Sequence, residues 1–181
     1  MMVVNQTGQS LLEVTIMLGM VVVIITAVTI TTVVGIKNSQ FSKNQLQATK
    51  LAQEGIERVR IGRDRNQSIV NLPNVTSWNG DITGVGSFWD YSIRDNCQIG
   101  GTCYFKITDV NGGLEYKTSS LNFPASVSVY EDIYSDGKFK RVVILSDDDS
   151  YKTQKKVTVI VTWTDFSGNH ESKLTTILRK I

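Results

Sequence analysis

The chain has 181 residues, with 19 Lys and Arg against 17 Asp and Glu, and a formal net charge of +2. Such a length holds one folded domain with a modest core plus an extra segment. A balance this close to neutrality gives no electrostatic argument for nucleic acid or an acidic lipid surface as partner. Two prolines exclude a long Pro-rich linker, and neither a low-complexity tract nor a repeat stands out.

In chain order, the first element is an uncharged run from Val14 to Ile36, preceded by Gly8-Gln9-Ser10-Leu11-Leu12-Glu13. A bilayer core needs roughly 20 apolar helical residues, and this run supplies about 23 at 1.5 Å rise each. Glu13 is thus a single carboxylate at the mouth of a membrane-length segment. One reading makes it a helix-start acid: Ser10 as N-cap and Glu13 three residues on form an S-x-x-E capping box, with the acid facing the positive end of the helix dipole. The run is too long for a removed secretory signal, and its far end, Thr-Thr-Val-Val-Gly-Ile-Lys, is a poor cleavage site. An uncleaved anchor fits better.

A short polar leader ending in Gly8, then Gln9, a hydroxyl residue, two aliphatics and Glu13, resembles the prepilin N-terminus of type IV pilins and pseudopilins. The resemblance implies cleavage between Gly8 and Gln9 by a membrane prepilin peptidase and N-methylation of Gln9. It also implies that Glu13 pairs with the terminal ammonium of a neighbouring subunit during filament assembly. The implied partners are the prepilin peptidase/methyltransferase, other pilin subunits and membrane lipid. The implied location is the cytoplasmic membrane before assembly and an extracellular or periplasmic filament after it. The physics suits that role, because a carboxylate in a dry filament core is tolerable only when paired. Gln9 stands where the family usually has Phe, and the leader Met1 to Gly8 has no Lys or Arg. Lys37, Lys43 and Lys50 follow the span, and charge bias alone would put that side in the cytoplasm, opposite to the pilin orientation.

Helical character continues beyond the span. Residues 37–62 lack proline and are rich in good helix formers. Leu51, Ala52, Gly55, Ile56 and Val59 form a stripe at helical spacing, and Glu54 can pair with Arg58 four residues on. A helix from about Ser10 to about Arg60 would be about 75 Å long, its first half apolar all round and its second amphipathic.

The stretch from Asp64 to Ser120 reads as irregular, with candidate short strands at Ser87–Ile93 and Tyr104–Thr108. Cys97 and Cys103 flank a Gly-Gly pair. In an exported domain a small-loop disulfide is the natural reading, worth about 2 kcal/mol at most; two reduced, packed cysteines are the alternative. Zinc is not expected, since the lone His170 is remote in sequence.

Phe139–Ser146 and Lys155–Thr164 then read as strands joined by a loop at Asp147–Gln154. The second alternates cleanly, with Val157, Val159, Val161 and Trp163 on one face. After a turn at Asp165–Asn169 a third strand, Glu171–Leu178, places Leu174 and Leu178 on one face. The expected fold is α+β: one long N-terminal helix packed on a C-terminal antiparallel meander of three to four strands. The segments are 1–8 leader, 9–36 membrane or filament-core helix, 37–62 amphipathic half, and 63–181 head. The head divides into a loop region 63–120 and a sheet 121–181. The distal helix LAQEGIERVRIGRDRN and the strand pair FKRVVILS and KKVTVIVTWT also resemble pilin-like heads.

No catalytic constellation is legible: no G-x-S-x-G elbow, P-loop or dinucleotide fingerprint. An enzyme is not expected, nor any cofactor or metal. Asp147-Asp148-Asp149 lacks the spacing of a calcium loop and reads as a solvated loop. Arg58, Arg60, Arg63 and Arg65 have interleaved acids and no aromatic platform, so salt bridges are their expected use and nucleic acid is not an expected partner. Trp78, Trp89 and Trp163 read as packing residues, and His170 as a solvated strand-start residue. The expected function is a structural subunit, major or minor, of a type IV pilus or pseudopilus. A signal-anchored extracellular binding module and a DNA-uptake pseudopilin are the alternatives.

Overall fold

A computed structural model describes residues 7–72, 84–89, 102–108, 111–120, 130–134, 137–148 and 151–180, with side chains omitted at 7–10, 102, 118–120, 147–148 and 151–152. Helix α1, Thr7–Asp64, has 58 residues. The strands are β1 Ser68–Leu72, β2 Gly84–Ser87, β3 Thr102–Ile107, β4 Leu114–Ser120, β5 Glu131–Asp132, β6 Phe139–Asp148, β7 Tyr151–Asp165 and β8 Gly168–Arg179. The chain divides into two compact units, Met1–Lys43 and Asn44–Ile181. In the first, the described side chains from Leu11 to Lys43 are all exposed.

In the second unit the expected α+β class is the observed one: the amphipathic part of α1 packs on a mostly antiparallel sheet. The sheet is larger than the expected meander. Among the described residues its order is β2-β1-β4-β3-β6-β7-β8, with β5 also paired to β6. The stretch 64–120 is therefore not merely irregular, since it supplies β1 to β4. The candidate strand at Tyr104–Thr108 is β3, Thr102–Ile107, whereas β1 and β4 escaped detection because only one face of each is apolar and each is short. In β4, Leu114 and Tyr116 face the core while Glu115 and Lys117 pair with each other at 2.6 Å on the other side. β1 runs parallel to β4. Asn71, at φ 60, turns the chain so that Ile69 and Leu72 both reach the core despite their odd spacing.

The candidate strand at Ser87–Ile93 is displaced: β2 ends at Ser87, and residues 90–93 lie outside the described residues. The loop expected at Asp147–Gln154 is mostly strand, because β6 and β7 stay paired from Phe139↔Trp163 to Asp148↔Tyr151. Asp147 and Asp148 belong to β6 rather than to a loop, and Asp149 lies outside the described residues.

The core follows from alternation. Val157, Val159, Val161 and Trp163 of β7 face the helix together with Val143 and Leu145 of β6 and Phe105 of β3. Ala48, Leu51, Ala52 and Val59 meet them from α1. Each large apolar side chain so buried stabilises the fold by roughly 1.5–3 kcal/mol. Trp163 is the packing residue expected, Trp89 packs partly buried at the edge of the same core, and Trp78 lies outside the described residues. The opposite sheet face has a smaller cluster of Tyr104, Val142 and Ile160, where burial pushes the Tyr104 hydroxyl pKa up.

Two glycines let the helix come close. A Cβ on Gly55 would stand 2.8 Å from Val159 Cγ1, and one on Gly62 would collide with the Gly112 carbonyl oxygen. Gly62, expected near the helix end, is thus a contact point and not a terminator. The helix stops four residues beyond the expected Arg60. Asn66 adopts φ 48, its N–H reaches the Arg63 carbonyl at 3.1 Å, and the Gln67 N–H reaches the Gly62 carbonyl at 2.8 Å. This is the Schellman pattern, with Asn in the left-handed position.

Arg141 ties helix to sheet. It is 1% exposed. Its Nε and Nη2 donate to the Glu131 carboxylate at 3.1–3.2 Å, and Nη1 donates to the Leu51 carbonyl at 3.4 Å.

An exposed helix gains stability when Gly becomes Ala, but at Gly62 the sign reverses. We expect Gly62→Ala to destabilise the head by about 1–3 kcal/mol, read as a lowered thermal midpoint, while Gly19→Ala, with nothing within 4 Å, leaves it unchanged. Glu131→Ala, which strands a buried guanidinium, should cost about 3–5 kcal/mol, and Arg141→Met with Glu131→Leu should recover much of that loss; urea denaturation of these two variants beside the unsubstituted chain checks both.

Candidate functional site: the uncovered helix and the hairpin tip

Among the described residues, one helix is long and apolar enough to cross a membrane, and its apolar window has no buried residue. Leu18 is 66% exposed and Ile24 62%. In water such a surface would be costly, since each large side chain forgoes roughly 1.5–3 kcal/mol of burial.

The run also holds threonines, whose hydroxyls turn inward onto their own helix. Thr26 donates to the Val22 carbonyl and Thr29 to that of Ile25, each at 2.8 Å. Thr15, Thr31 and Thr32 make equivalent bonds at 2.8–3.1 Å. Each hydroxyl is satisfied without water, which is what a hydrocarbon solvent demands.

Gly8 and Gln9 lie in the first described turn of α1, and their side chains are outside the described residues. Because the helix is already formed at Thr7, Ser10 is an interior helical residue and cannot act as N-cap; the capping-box reading of Ser10 and Glu13 is therefore overturned. Glu13 is exposed, and no ion pair among the described residues includes it.

The arginine cluster at the helix exit is engaged locally. Arg58 pairs with Glu54, Arg60 with Glu57 at 2.8 Å and Arg63 with Asp64 at 2.6 Å. Arg65 donates to Asn111 Oδ1 at 2.6 Å. Cys103 is buried in the helix-facing core and disulfide-bonded; Cys97 lies outside the described residues. Among the described residues no group of His, Cys, Asp and Glu could hold a metal ion.

The β7–β8 turn holds an arrangement that sequence reading missed. β7 and β8 pair through Asp165↔Gly168, leaving Phe166 and Ser167 as the loop. Asp165 Oδ1 accepts from the Ser167 N–H at 2.8 Å and from its hydroxyl at 2.6 Å. His170 Nε2 lies 2.8 Å from the same oxygen and 3.0 Å from Ser167 Oγ. Ser167 spends its one hydroxyl proton on Asp165, so the His–Ser contact requires the proton to sit on Nε2. The imidazole also stacks on Trp163, with centroids 5.3 Å apart. His170 is therefore not the solvated residue expected but the clamp of the turn. The D-x-S-x-x-H spacing was the available signal.

Aspartate, serine and histidine also make hydrolytic triads, but there the acid and the hydroxyl engage opposite ring nitrogens. Here both crowd Nε2, which locks a turn and does not relay a proton. Hydrogen bonding from Ser167, aided by its N–H and by His170 and opposed by desolvation, pulls the Asp165 pKa from 3.8 down to about 2. A depressed folded-state pKa stabilises above the ordinary value and loses that contribution as the acid protonates. We expect the turn to loosen as pH falls from about 4 to about 2, seen as faster exchange of the Ser167 amide, and Asp165→Asn to abolish this pH dependence.

Comparison with known proteins finds no family model, no curated protein and no solved structure that matches the chain.

Proposed function

We propose that the chain is a structural subunit of a type IV pilus-like or pseudopilus filament, anchored in a membrane by its apolar helix until assembly. The observation that carries this reading is the uncovered apolar surface of α1 with Glu13 near its start. A surface of that length needs either lipid or like helices around it. Glu13 is then the group that a neighbour's terminal ammonium neutralises once lipid is exchanged for protein, and a buried pair of this kind also fixes stagger. The sheet-bearing unit, with its polar outer strands, forms the filament exterior. In this reading Gly8 and Gln9 are the peptidase site and Gln9 the methylated terminus.

The signal-anchored module remains the rival, and processing separates the two. Intact-mass and N-terminal mass spectrometry of the protein from its own host should find Gln9 first and methylated; retained Met1 or Met2 overturns the proposal. In the same host, Glu13→Ala should cut incorporation into filaments at least about tenfold, the ratio that about 1.4 kcal/mol of lost pairing yields, with membrane levels unchanged. Incorporation equal to that of the unsubstituted chain would remove Glu13 from assembly.

A further inference from the structure

The connection from β3 to β4 carries an Asn-Gly pair, Asn111-Gly112. The fold holds this connection tightly. The Thr108 N–H donates to the Gly113 carbonyl at 2.9 Å, and Gly112, at φ 83, packs against the α1 backbone at Arg58 and Gly62. A side chain at Gly112 would meet main-chain atoms of the helix. A glycine nitrogen is also the least hindered backbone nucleophile toward the side-chain amide that precedes it. Among the described residues, no backbone hydrogen bond outside the helix and strands engages the Gly112 N–H.

Asn111 itself is exposed, so water and hydroxide reach it. Its Oδ1 accepts from Arg65 Nη1 at 2.6 Å, a short charge-assisted bond from the residue that follows the last of α1. A guanidinium on a carbonyl oxygen withdraws electrons from the carbon and stabilises the oxyanion that forms when a nucleophile adds. The side-chain amide carbon of Asn111 therefore lies between a polarising cation and the nitrogen of the next residue, which the fold keeps in place.

We propose that Asn111-Gly112 is a self-modification site, at which Arg65 promotes closure of the Asn111 side chain onto the Gly112 nitrogen and directs the resulting ring to open as aspartate. The Gly112 nitrogen, having lost its proton to solvent base, attacks Asn111 Cγ. The N–Cγ bond forms, the bond from Cγ to the side-chain nitrogen breaks, and that nitrogen takes up a proton and leaves as ammonia. Water then adds to Cγ of the succinimide, the bond from Cγ to the Gly112 nitrogen breaks, and that nitrogen regains its proton. The main chain is left unaltered. Addition of water at the other ring carbonyl would give isoaspartate, with a main chain longer by one carbon. Arg65 favours the first route because it holds Oδ1, the oxygen on Cγ. The packing of Gly112 on Gly62 favours it too, since an added main-chain atom finds no room there. The aspartate then faces Arg65 with a full charge, a stronger partner than the amide it replaces.

The test ages the full chain in detergent micelles, in mildly alkaline buffer made with heavy-oxygen water. Mass spectrometry follows the tryptic peptide from Ile107 to Lys117, with electron-transfer fragmentation to tell aspartate from isoaspartate. A second Asn-Gly pair, Asn79-Gly80, serves as the reference within the same chain. We expect Asn111 to be converted with uptake of heavy oxygen, mostly to aspartate. Arg65→Met should slow this about tenfold, less than the loss of a buried oxyanion donor brings, and leave Asn79 unchanged. Arg65→Lys, which keeps a cationic donor, should retain most of the rate, and in urea isoaspartate should predominate at both pairs. An Asn111 that stays an amide while Asn79 is converted overturns the proposal. A rate unchanged or raised in Arg65→Met overturns it as well, because the guanidinium would then be a bystander or a restraint. Isoaspartate as the main product at Asn111 in the folded chain overturns the directed opening of the ring.

Discussion

The head depends on how closely α1 approaches its sheet. Gly55 brings the helix onto Val159 and the Arg141 side chain, and Gly62 brings it onto Gly112, while Val157, Val159 and Val161 supply the apolar face of the sheet. Gly112 carries its own constraint, φ +83 with the Arg58 carbonyl where a Cβ would be. At such spacing any added methyl must move backbone, since both nearest neighbours at Gly62 and Gly112 are main-chain atoms. Arg141 turns the proximity into specificity. Its fork satisfies Glu131 and a helix carbonyl at once, so one side chain registers β5, β6 and α1.

What the sequence made legible was periodic. The stripe Leu51, Ala52, Gly55 and Val59 and the alternation from Val157 to Trp163 are buried as their spacing requires, because one-sided burial leaves a strong imprint on residue order. Gly62 and Asn66 were harder: a glycine near a helix end suggests a stop, yet the stop came from Asn66. Strands β1 and β4 were hidden since half of each is polar and the parallel pairing between them joins distant parts of the chain. Arg141 is a charge on an alternating strand that nothing in the local sequence marks as buried, and its pairing with Glu131 ten residues away explains its burial.

For the candidate site, the apolar run was fully visible in composition, and its uncovered state follows from there being no second apolar helix among the described residues to hide it. The turn clamp was not visible. Asp165, Ser167 and His170 are each common in loops, and their convergence on one carboxylate oxygen appears only when the two-residue loop is built. The same geometry explains why three residue types associated with hydrolysis amount here to a fastener.

The sheet order ends at β8, a 12-residue strand that among the described residues is paired along one side only. A long open strand is a template on which another chain can add by backbone pairing. On the face away from the helix this one carries Glu171 and Lys173, with Arg179 and Lys180 at its end. An incoming copy in either direction would meet charges that need matching and water that must be removed. Growth by strand addition along β8 is thereby discouraged.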